Sequence, residues 1–215
     1  MNAAQPVVHL VDDDASFLKA MSRLLRAEEF QVQAYSSATD FLARRPRDTA
    51  GCAVVDLQMP GLNGLDLQRE LAKADDPIPV VFLTGEGDIP TSVRAMRQGA
   101  EDFLTKRAPK AEILAAVRQA LAHDAMMRAG RARLRQLRAP FEALTPRERE
   151  VLGHVLKGQL NKQIAIHLGI DERSVKRHRT SIMTKLKVES VAELTHLVHE
   201  SGLQFSHGGT APDRP

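Results

Sequence analysis

Short hydrophobic runs alternate with longer stretches in which apolar side chains recur every three to four positions along the first half of the chain. The runs predict buried β-strands and the periodic stretches predict amphipathic helices. Strands are expected at 7–11, 30–35, 52–56, 79–84 and 101–106. Helices are expected to begin at Ala15, Ser37, Leu65 and either Asp88 or Pro90. Repeated strand–helix units of this length predict an α/β fold with a doubly wound parallel sheet.

Two of these helices have a defined apolar face. The first carries Phe17, Met21, Leu24 and Leu25 on one side, and Asp14 is expected to cap its N-terminus. In the second, Phe41 and Leu42 are predicted to be buried. Gly99 is expected to end the fourth helix, before the fifth strand.

From Ala111 a helical pattern extends through Leu144, much further than the earlier helices. Its apolar positions alternate at spacings of three and four, so the helix could pair with a second subunit. A solvated linker helix that packs on its own domain fits the pattern equally well. Its basic residues, which could instead approach DNA phosphates, are Arg128, Arg131, Arg133, Arg135 and Arg138.

Beyond this helix, Thr145 and Glu148 form a capping box with Pro146 at the first helical position, which is a strong helix start. Further helices are expected at 162–168, from Asp171 to about Lys187, and after a second capping box at Ser190. The sequence therefore predicts a small all-α domain of four short helices. We divide the chain into a first domain at 5–122, a helical linker at 123–143, a second domain at 144–205 and a disordered tail at 206–215.

Charge is distributed unevenly between the two halves. Residues 1–120 carry 14 Lys and Arg against 17 Asp and Glu, whereas residues 121–215 carry 16 against 10. The acidic first half suggests ion binding, and the basic second half suggests nucleic-acid binding. No apolar run approaches the roughly 20 residues of a membrane span, and no leader segment precedes the first strand, so we expect a cytoplasmic protein without a membrane partner.

Polar side chains stand at the ends of four predicted strands. Asp12 and Asp13 follow the first strand, Asp56 ends the third, Thr84 ends the fourth and Lys106 ends the fifth. Parallel strands bring these ends to one edge of the sheet, where ligands bind. Carboxylates without paired His or Cys favour Mg²⁺ or Mn²⁺. The set predicts phosphoryl capture, in which Asp56 attacks phosphorus while Lys106 and Thr84 stabilise phosphoryl oxygens.

Residues 5–122 resemble the receiver domain of two-component response regulators. The matching segments are Val11-Asp12-Asp13, Asp56-Leu57-Gln58-Met59-Pro60-Gly61, Thr84-Gly85, Phe103 and Lys106. The resemblance implies a flavodoxin-like fold and phosphorylation of Asp56 by a sensor histidine kinase. It implies that Mg²⁺ is held by Asp13, Asp56 and the Gln58 backbone carbonyl, with Asp12 acting through water. Thr84 would move toward the phosphoryl group and Phe103 would turn inward, which remodels the face of the fourth helix, fifth strand and fifth helix.

One position departs from that family. Arg107 follows Lys106 where the family usually has a proline, commonly after a cis bond. A cis bond before any other residue costs about 2.5–4 kcal/mol. We therefore expect altered switching kinetics or dimer geometry and an intact acceptor site.

In the second domain, Ala165, Gly169 and Val175 have the spacing of a helix-turn-helix. If the apolar residues of its second helix face the core, Lys176, Arg177 and Thr180 face outward and would enter the major groove. The residues better placed to bind phosphates are Asn161, Lys162, Arg179 and Lys185. His178 is expected to be packed or to contact a phosphate, and is a poorer candidate for a metal ligand.

Residues 144–200 resemble the LuxR-type output domain. The resemblance rests on Leu144-Thr-Pro-Arg-Glu-Arg-Glu-Val-Leu152, Asn161-Lys162-Gln-Ile-Ala165 and Ser174-Val-Lys-Arg-His178. With the receiver, it identifies the chain as a FixJ-like member of the NarL/LuxR class of response regulators. This class implies a transcription regulator that forms a homodimer on phosphorylation and binds promoter DNA, with RNA polymerase as a candidate further partner.

Two other functions stay open at this stage. The first is a DNA-binding regulator with an atypical receiver that works without phosphorylation, for which Arg107 is the only support. The second is a phosphatase with an aspartate nucleophile, which needs a second acid near Asp56. Gln58, two residues after Asp56, stands where that acid would be expected, and no substrate cap is apparent. We therefore expect a regulatory protein and not an enzyme, with at most self-catalysed phosphoryl transfer and autodephosphorylation.

Overall fold

A computed structural model of the chain describes residues 5–73, 77–85 and 89–205. The chain divides into two compact units, and the division falls between Ala129 and Gly130, within the predicted linker. The tail at 206–215, which we predict to be disordered, lies outside the described residues. So does Asp88, one of the two predicted starts of the fourth helix.

A five-stranded parallel sheet forms the centre of the first unit, in the order β2-β1-β3-β4-β5. The strands are β1 (Val7–Val11), β2 (Gln31–Tyr35), β3 (Gly51–Val55), β4 (Val80–Thr84) and β5 (Asp102–Thr105). Val11 is in register with Tyr35 of β2 and Val55 of β3, so the carboxyl ends of these strands are level. The predicted doubly wound parallel sheet is confirmed.

In the part of the chain that the structure describes, five helices connect or follow these strands. They are α1 (Ala15–Ala27), α2 (Ala38–Arg44), α3 (Gly64–Lys73), α4 (Ile89–Arg97) and α5 (Lys110–Glu142). Successive strand residues alternate between two hydrophobic clusters, as Val54 and Val55 show. Side chains of a strand point alternately to opposite faces, so the sheet has an apolar core on each face.

Local signals set the helix starts. Asp14 caps α1 by accepting hydrogen bonds from the backbone N–H groups of Ser16 and Phe17, as predicted. In α2, Phe41 is fully buried, but Leu42 is 41% exposed, so the prediction that both are buried is wrong. Consecutive helical residues point about 100° apart, and this seven-residue helix buries only the side that carries Phe41.

Helix α5 is continuous through the segment predicted as a linker. Its N-terminal part belongs to the first unit and its C-terminal part to the second. In the first unit, Asp124 is 1% exposed and forms an ion pair with Arg128. In the second unit, Arg138 donates to the backbone carbonyl of Ser201, and Phe141 is buried in the core. Among the described residues, no helix is long and apolar enough to cross a lipid bilayer.

Up to residue 205, the second unit contains the end of α5 and four short helices, as predicted. These are α6 (Pro146–Leu156), α7 (Asn161–Leu168), α8 (Glu172–Leu186) and α9 (Val191–Ser201). The capping box of Thr145 and Glu148 is present in full. Gly169 ends α7 in the left-handed conformation, with φ 62°, and so makes the sharp turn into α8. The helix-turn-helix is thereby confirmed.

Candidate functional site

Three carboxylates meet at the carboxyl edge of the sheet. Oxygen atoms of Asp12, Asp13 and Asp56 all lie within 4.8 Å of one another. Asp12 and Asp56 are buried, whereas Asp13 is exposed. The strand ends are held together because the backbone N–H of Asp56 donates to the carbonyl of Val11 at 2.8 Å. The sheet register therefore brings Asp56 next to Asp12 and Asp13, from which it is far apart in sequence.

Lys106 completes this cluster. Its Nζ lies 2.6 Å from Asp12 Oδ2 and 2.9 Å from Asp56 Oδ2, and 4.5 Å from the ring centroid of Phe17. Burial raises the pKa of Asp12 above its usual value, against the opposing effects of Lys106 and the Asp14 backbone N–H. Burial alone would lower the pKa of Lys106, but the two carboxylates more than offset it and the pKa is raised. The ammonium thus stays charged.

The charge of the cluster fits a cation. Three carboxylates face one ammonium, so negative charge remains at the sheet edge when all are ionised. All the acidic ligands are hard oxygen donors, which suit Mg²⁺ or Mn²⁺ better than zinc. The residues present could hold such an ion.

The loop after β3 is shaped around Asp56. The backbone N–H of Gln58 points to Asp56 Oδ1 at 3.4 Å, while the Gln58 side chain is exposed. Gly64 lies under this loop, and a Cβ there would be 2.5 Å from the Asp56 carbonyl oxygen and 3.0 Å from Leu57 Cα. Only glycine fits at position 64. The sequence alone gives no sign of this close approach.

The two predicted switch residues lie on neighbouring strands. Thr84 is fully buried at the end of β4, in register with Thr105. Phe103 is half-buried on β5, with its ring centroid 6.1 Å from that of Phe82. Arg107 is exposed and its bond to Lys106 is trans. Thr84 and Lys106 are also linked, because the Lys106 backbone N–H donates to the Thr84 carbonyl at 2.8 Å.

The second unit exposes the side of α8 that we expect to face DNA. The apolar residues Val175, Ile182 and Leu186 are buried, as predicted. Lys176, Arg177 and Thr180 are consequently exposed. This arrangement leaves the N-terminal half of α8 open to a nucleic acid.

Three of the residues expected to bind phosphates have partners within the unit. Arg179 Nη1 donates to Asn161 Oδ1 at 3.0 Å, which joins α8 to the start of α7. Lys185 Nζ donates to Glu148 Oε2 at 2.8 Å and to the carbonyl of Ala143 at 3.0 Å. The remaining candidates are Lys162, which is exposed, and His178, which is half-buried.

Glu148 is a structural centre that sequence reasoning recognised only as a helix cap. It is 4% exposed, and it accepts hydrogen bonds from Ser181 and Lys185 of α8 and from the Thr145 backbone N–H. Burial alone would raise its pKa, but these hydrogen bonds lower it from 4.5 to about 2. The charged carboxylate therefore fixes α8 against α6.

Comparisons with known proteins agree with both halves of this architecture. Residues 8–118 match the response regulator receiver domain, and residues 142–198 match the luxR family of bacterial regulatory proteins. The chain therefore belongs to the response regulators that join a receiver domain to a LuxR-type DNA-binding domain.

Individual relatives extend over nearly the whole chain. Response regulator protein TmoT of Ectopseudomonas mendocina is 42% identical over 92% of this chain and 90% of its own. The solved structure of response regulator StyR is similar with a TM-score of 0.78 and 45% identity, and the match covers 92% of this chain and 100% of that one. Full-length FixJ from B. japonicum matches with a TM-score of 0.55 and 32% identity, covering 92% and 97%. The resemblance to FixJ is thus confirmed.

Proposed function

We propose that the chain is a transcription regulator switched by phosphorylation of Asp56 by a sensor histidine kinase. The observation that carries this proposal is the convergence of Asp12, Asp13, Asp56 and Lys106 at one sheet edge. The carboxylates supply a nucleophile and ion ligands, and the ammonium supplies a fixed positive charge for a phosphoryl oxygen.

In the proposed reaction, an oxygen of Asp56 forms a bond to phosphorus as the bond between phosphorus and the donor nitrogen breaks. Asp13, Asp56 and the Gln58 carbonyl would hold Mg²⁺ or Mn²⁺, with Asp12 acting through water, and the ion would neutralise charge on the phosphoryl group. Lys106 is already beside Asp56, so it can turn from a carboxylate to a phosphoryl oxygen with little movement.

The response is proposed to pass through β4 and β5 to α4. Thr84 would move toward the new phosphoryl group, and Phe103 would turn inward behind it. The outer side of α4 supports homodimerisation, because it exposes an apolar stripe. Ile89, Val93 and Met96, with exposures of 79%, 43% and 46%, stand at helical spacings of four and three.

Promoter DNA is the proposed target of the second unit. Lys176, Arg177 and Thr180 would enter the major groove, and a dimer would present two such helices to adjacent half-sites. Lys162 and the Asn161–Arg179 pair would contact phosphates, with a steep dependence of binding on salt. RNA polymerase is a further proposed partner, and we place the protein in the cytoplasm with its DNA target.

The decisive experiment is incubation with Mg²⁺ and a small acyl phosphate, followed by intact mass and light scattering after gel filtration. Wild type should gain one phosphoryl group and become a dimer, whereas Asp56→Asn should do neither. The matched control is Asp66→Asn in α3, which removes a half-buried carboxylate outside the cluster of Asp12, Asp13 and Asp56 and should behave as wild type. Labelling of Asp56→Asn equal to wild type would refute the acceptor assignment.

A second measurement separates the proposal from regulation without phosphorylation. DNA affinity should rise when wild type is phosphorylated and should stay low in Asp56→Asn. Equal affinity of wild type and Asp56→Asn under phosphorylating conditions would favour a regulator with an atypical receiver.

A further inference from the structure

Phe17 lies beside the phosphoryl site although it is neither acidic nor on a strand end. It occupies the first turn of α1, and its ring centroid is 4.5 Å from Lys106 Nζ. We infer that Phe17 is a positioning residue that holds the Lys106 ammonium over Asp56 through a cation–π contact. The inference rests on the proposed function of Asp56 and adds a residue to that site.

Lys106 is held from three sides. Its Nζ lies 2.6 Å from Asp12 and 2.9 Å from Asp56, and the Phe17 ring faces it from the direction of α1. A cation within about 6 Å of an aromatic centroid is attracted by the ring's negative face, most strongly when it is partly removed from water. The Lys106 side chain is 19% exposed, so water screens this attraction only in part.

Asp12 and Asp14 fix the backbone that carries Phe17. The Phe17 N–H donates to Asp14 Oδ1 at 3.2 Å, and the Asp14 N–H donates to Asp12 Oδ1 at 2.9 Å. Phe17 itself is half-buried and packs against the core cluster between α1 and the sheet. The ring and the carboxylates are therefore positioned by the same short segment.

The Phe17 contact differs from the Asp56 contact in what phosphorylation does to it. Asp56 changes its charge and its free oxygens when it accepts a phosphoryl group, so its ion pair with Lys106 must rearrange. The Phe17 ring does not take part in the reaction and can hold the ammonium before and after transfer. When the Asp56 contact changes, the Phe17 ring and Asp12 are the contacts that still order this flexible lysine side chain.

Removal of the ring should therefore slow phosphorylation while leaving the acceptor intact. Phe17→Leu keeps an apolar side chain in the core, and we expect phosphorylation by a small acyl phosphate with Mg²⁺ to be roughly two- to tenfold slower. Phe17→Tyr keeps the aromatic face and should restore the rate. A residue needed only for packing would tolerate leucine as well as tyrosine.

A double-mutant cycle tests whether the effect passes through the ammonium. Phe17→Leu should slow phosphorylation in wild type but have no further effect in Lys106→Ala. Additive losses would overturn the inference, as would equal rates for wild type and Phe17→Leu. If Phe17→Leu slows transfer from a histidine kinase but leaves the small-donor rate unchanged, Phe17 is a kinase contact and the inference fails.

A readout free of metal and phosphodonor completes the test. The ammonium ¹H–¹⁵N signal of a lysine is seen by NMR only when the group is ordered and exchanges slowly with water. The Lys106 signal should be present in wild type and Phe17→Tyr, and broadened or lost in Phe17→Leu. An unchanged signal in Phe17→Leu would show that the ring does not order the ammonium. That result would overturn the inference about Phe17 and would leave the proposed role of Asp56 standing. Failure of wild type to gain a phosphoryl group instead refutes the proposed function, and the catalytic part of the inference with it.

Discussion

Asp124 and Gly51 are joined by a buried hydrogen bond, in which the backbone N–H of Gly51 donates to Asp124 Oδ2 at 2.8 Å. Arg128 forms an ion pair with the same carboxylate at 3.0 Å. It also donates to the backbone carbonyls of Asp48 and Thr49. The middle of α5 is thus attached to the beginning of β3, and the other end of β3 carries Asp56.

Asp124→Ala should destabilise the first unit by about 1–3 kcal/mol, because it leaves a buried N–H without its acceptor. Urea unfolding followed by the fluorescence of Tyr35 measures this, since the chain has one tyrosine and no tryptophan. Glu112→Ala, on the exposed side of α5, should change the free energy of unfolding little. Equal stability of Asp124→Ala and Glu112→Ala would show that the Gly51 hydrogen bond contributes nothing.

The sequence predicted the strand-end cluster because backbone topology alone determines it. Once the strands are parallel, Asp12, Asp56 and Lys106 must share one edge, whatever the side chains between them do. The Asp124–Gly51 bond could not be predicted in this way. It joins positions 73 residues apart and depends on which side of α5 packs against the sheet. The prediction that Leu42 is buried was wrong for a related reason, since a short helix has too few turns to define its apolar face.

Gly64→Ala should distort the loop between β3 and α3, which begins at Asp56. A Cβ at this position would lie 2.5 Å from the Asp56 carbonyl oxygen, so the backbone must move. We expect a loss of about 1–3 kcal/mol in the free energy of unfolding, together with slower phosphorylation of Asp56. The control is Gly130→Ala in α5, where a Cβ meets no atom within 4 Å. That variant should be stabilised by about 0.5–1 kcal/mol. Wild-type stability in Gly64→Ala would contradict the close approach.

His9 should make the first unit sensitive to moderate acid. Burial, with a smaller effect from Arg45, lowers the pKa of His9 from 6.5 to about 4. Between these values the unfolded chain binds a proton that the folded chain does not, so stability falls as the pH decreases, by up to about 3 kcal/mol. His9→Phe should reduce this loss in urea unfolding at pH values from 6.5 down to 4. The exposed His199, replaced by Phe, should leave the profile unchanged, and identical profiles for wild type and His9→Phe would refute the assignment.

Glu148 should make the second unit sensitive to stronger acid. Its pKa is lowered from 4.5 to about 2, so its contribution is complete above pH 4.5 and is lost as the pH falls toward 2, by about 3 kcal/mol. Glu148→Gln should be less stable at neutral pH and should lose less stability over that range. Circular dichroism of the helices at each pH gives the comparison. A variant with the stability and pH profile of wild type would show that the carboxylate does not fix α8.

Sequence analysis made both Lys176 and Lys185 candidates for DNA binding, the first in the major groove and the second at a phosphate. Both are basic residues of a helix-turn-helix, and composition alone makes each a candidate for DNA. The structure separates them, because Lys176 is exposed whereas Lys185 is bound to Glu148 and to the Ala143 carbonyl. The pairing depends on the approach of α6 to α8, which no local pattern encodes.

Substitution of Lys176 should therefore change DNA affinity, whereas substitution of Lys185 should change the stability of the second unit. Lys176→Ala should weaken promoter binding and leave the free energy of unfolding unchanged, since its side chain reaches outward. Lys185→Ala should lower the free energy of unfolding by about 1–3 kcal/mol, because it leaves the buried Glu148 carboxylate without its cation. DNA affinity measured over a range of salt concentrations, with unfolding measured in parallel, tests both. If Lys185→Ala keeps full stability and instead reduces the salt slope by about one, Lys185 is a phosphate contact and its bond to Glu148 is broken when DNA binds.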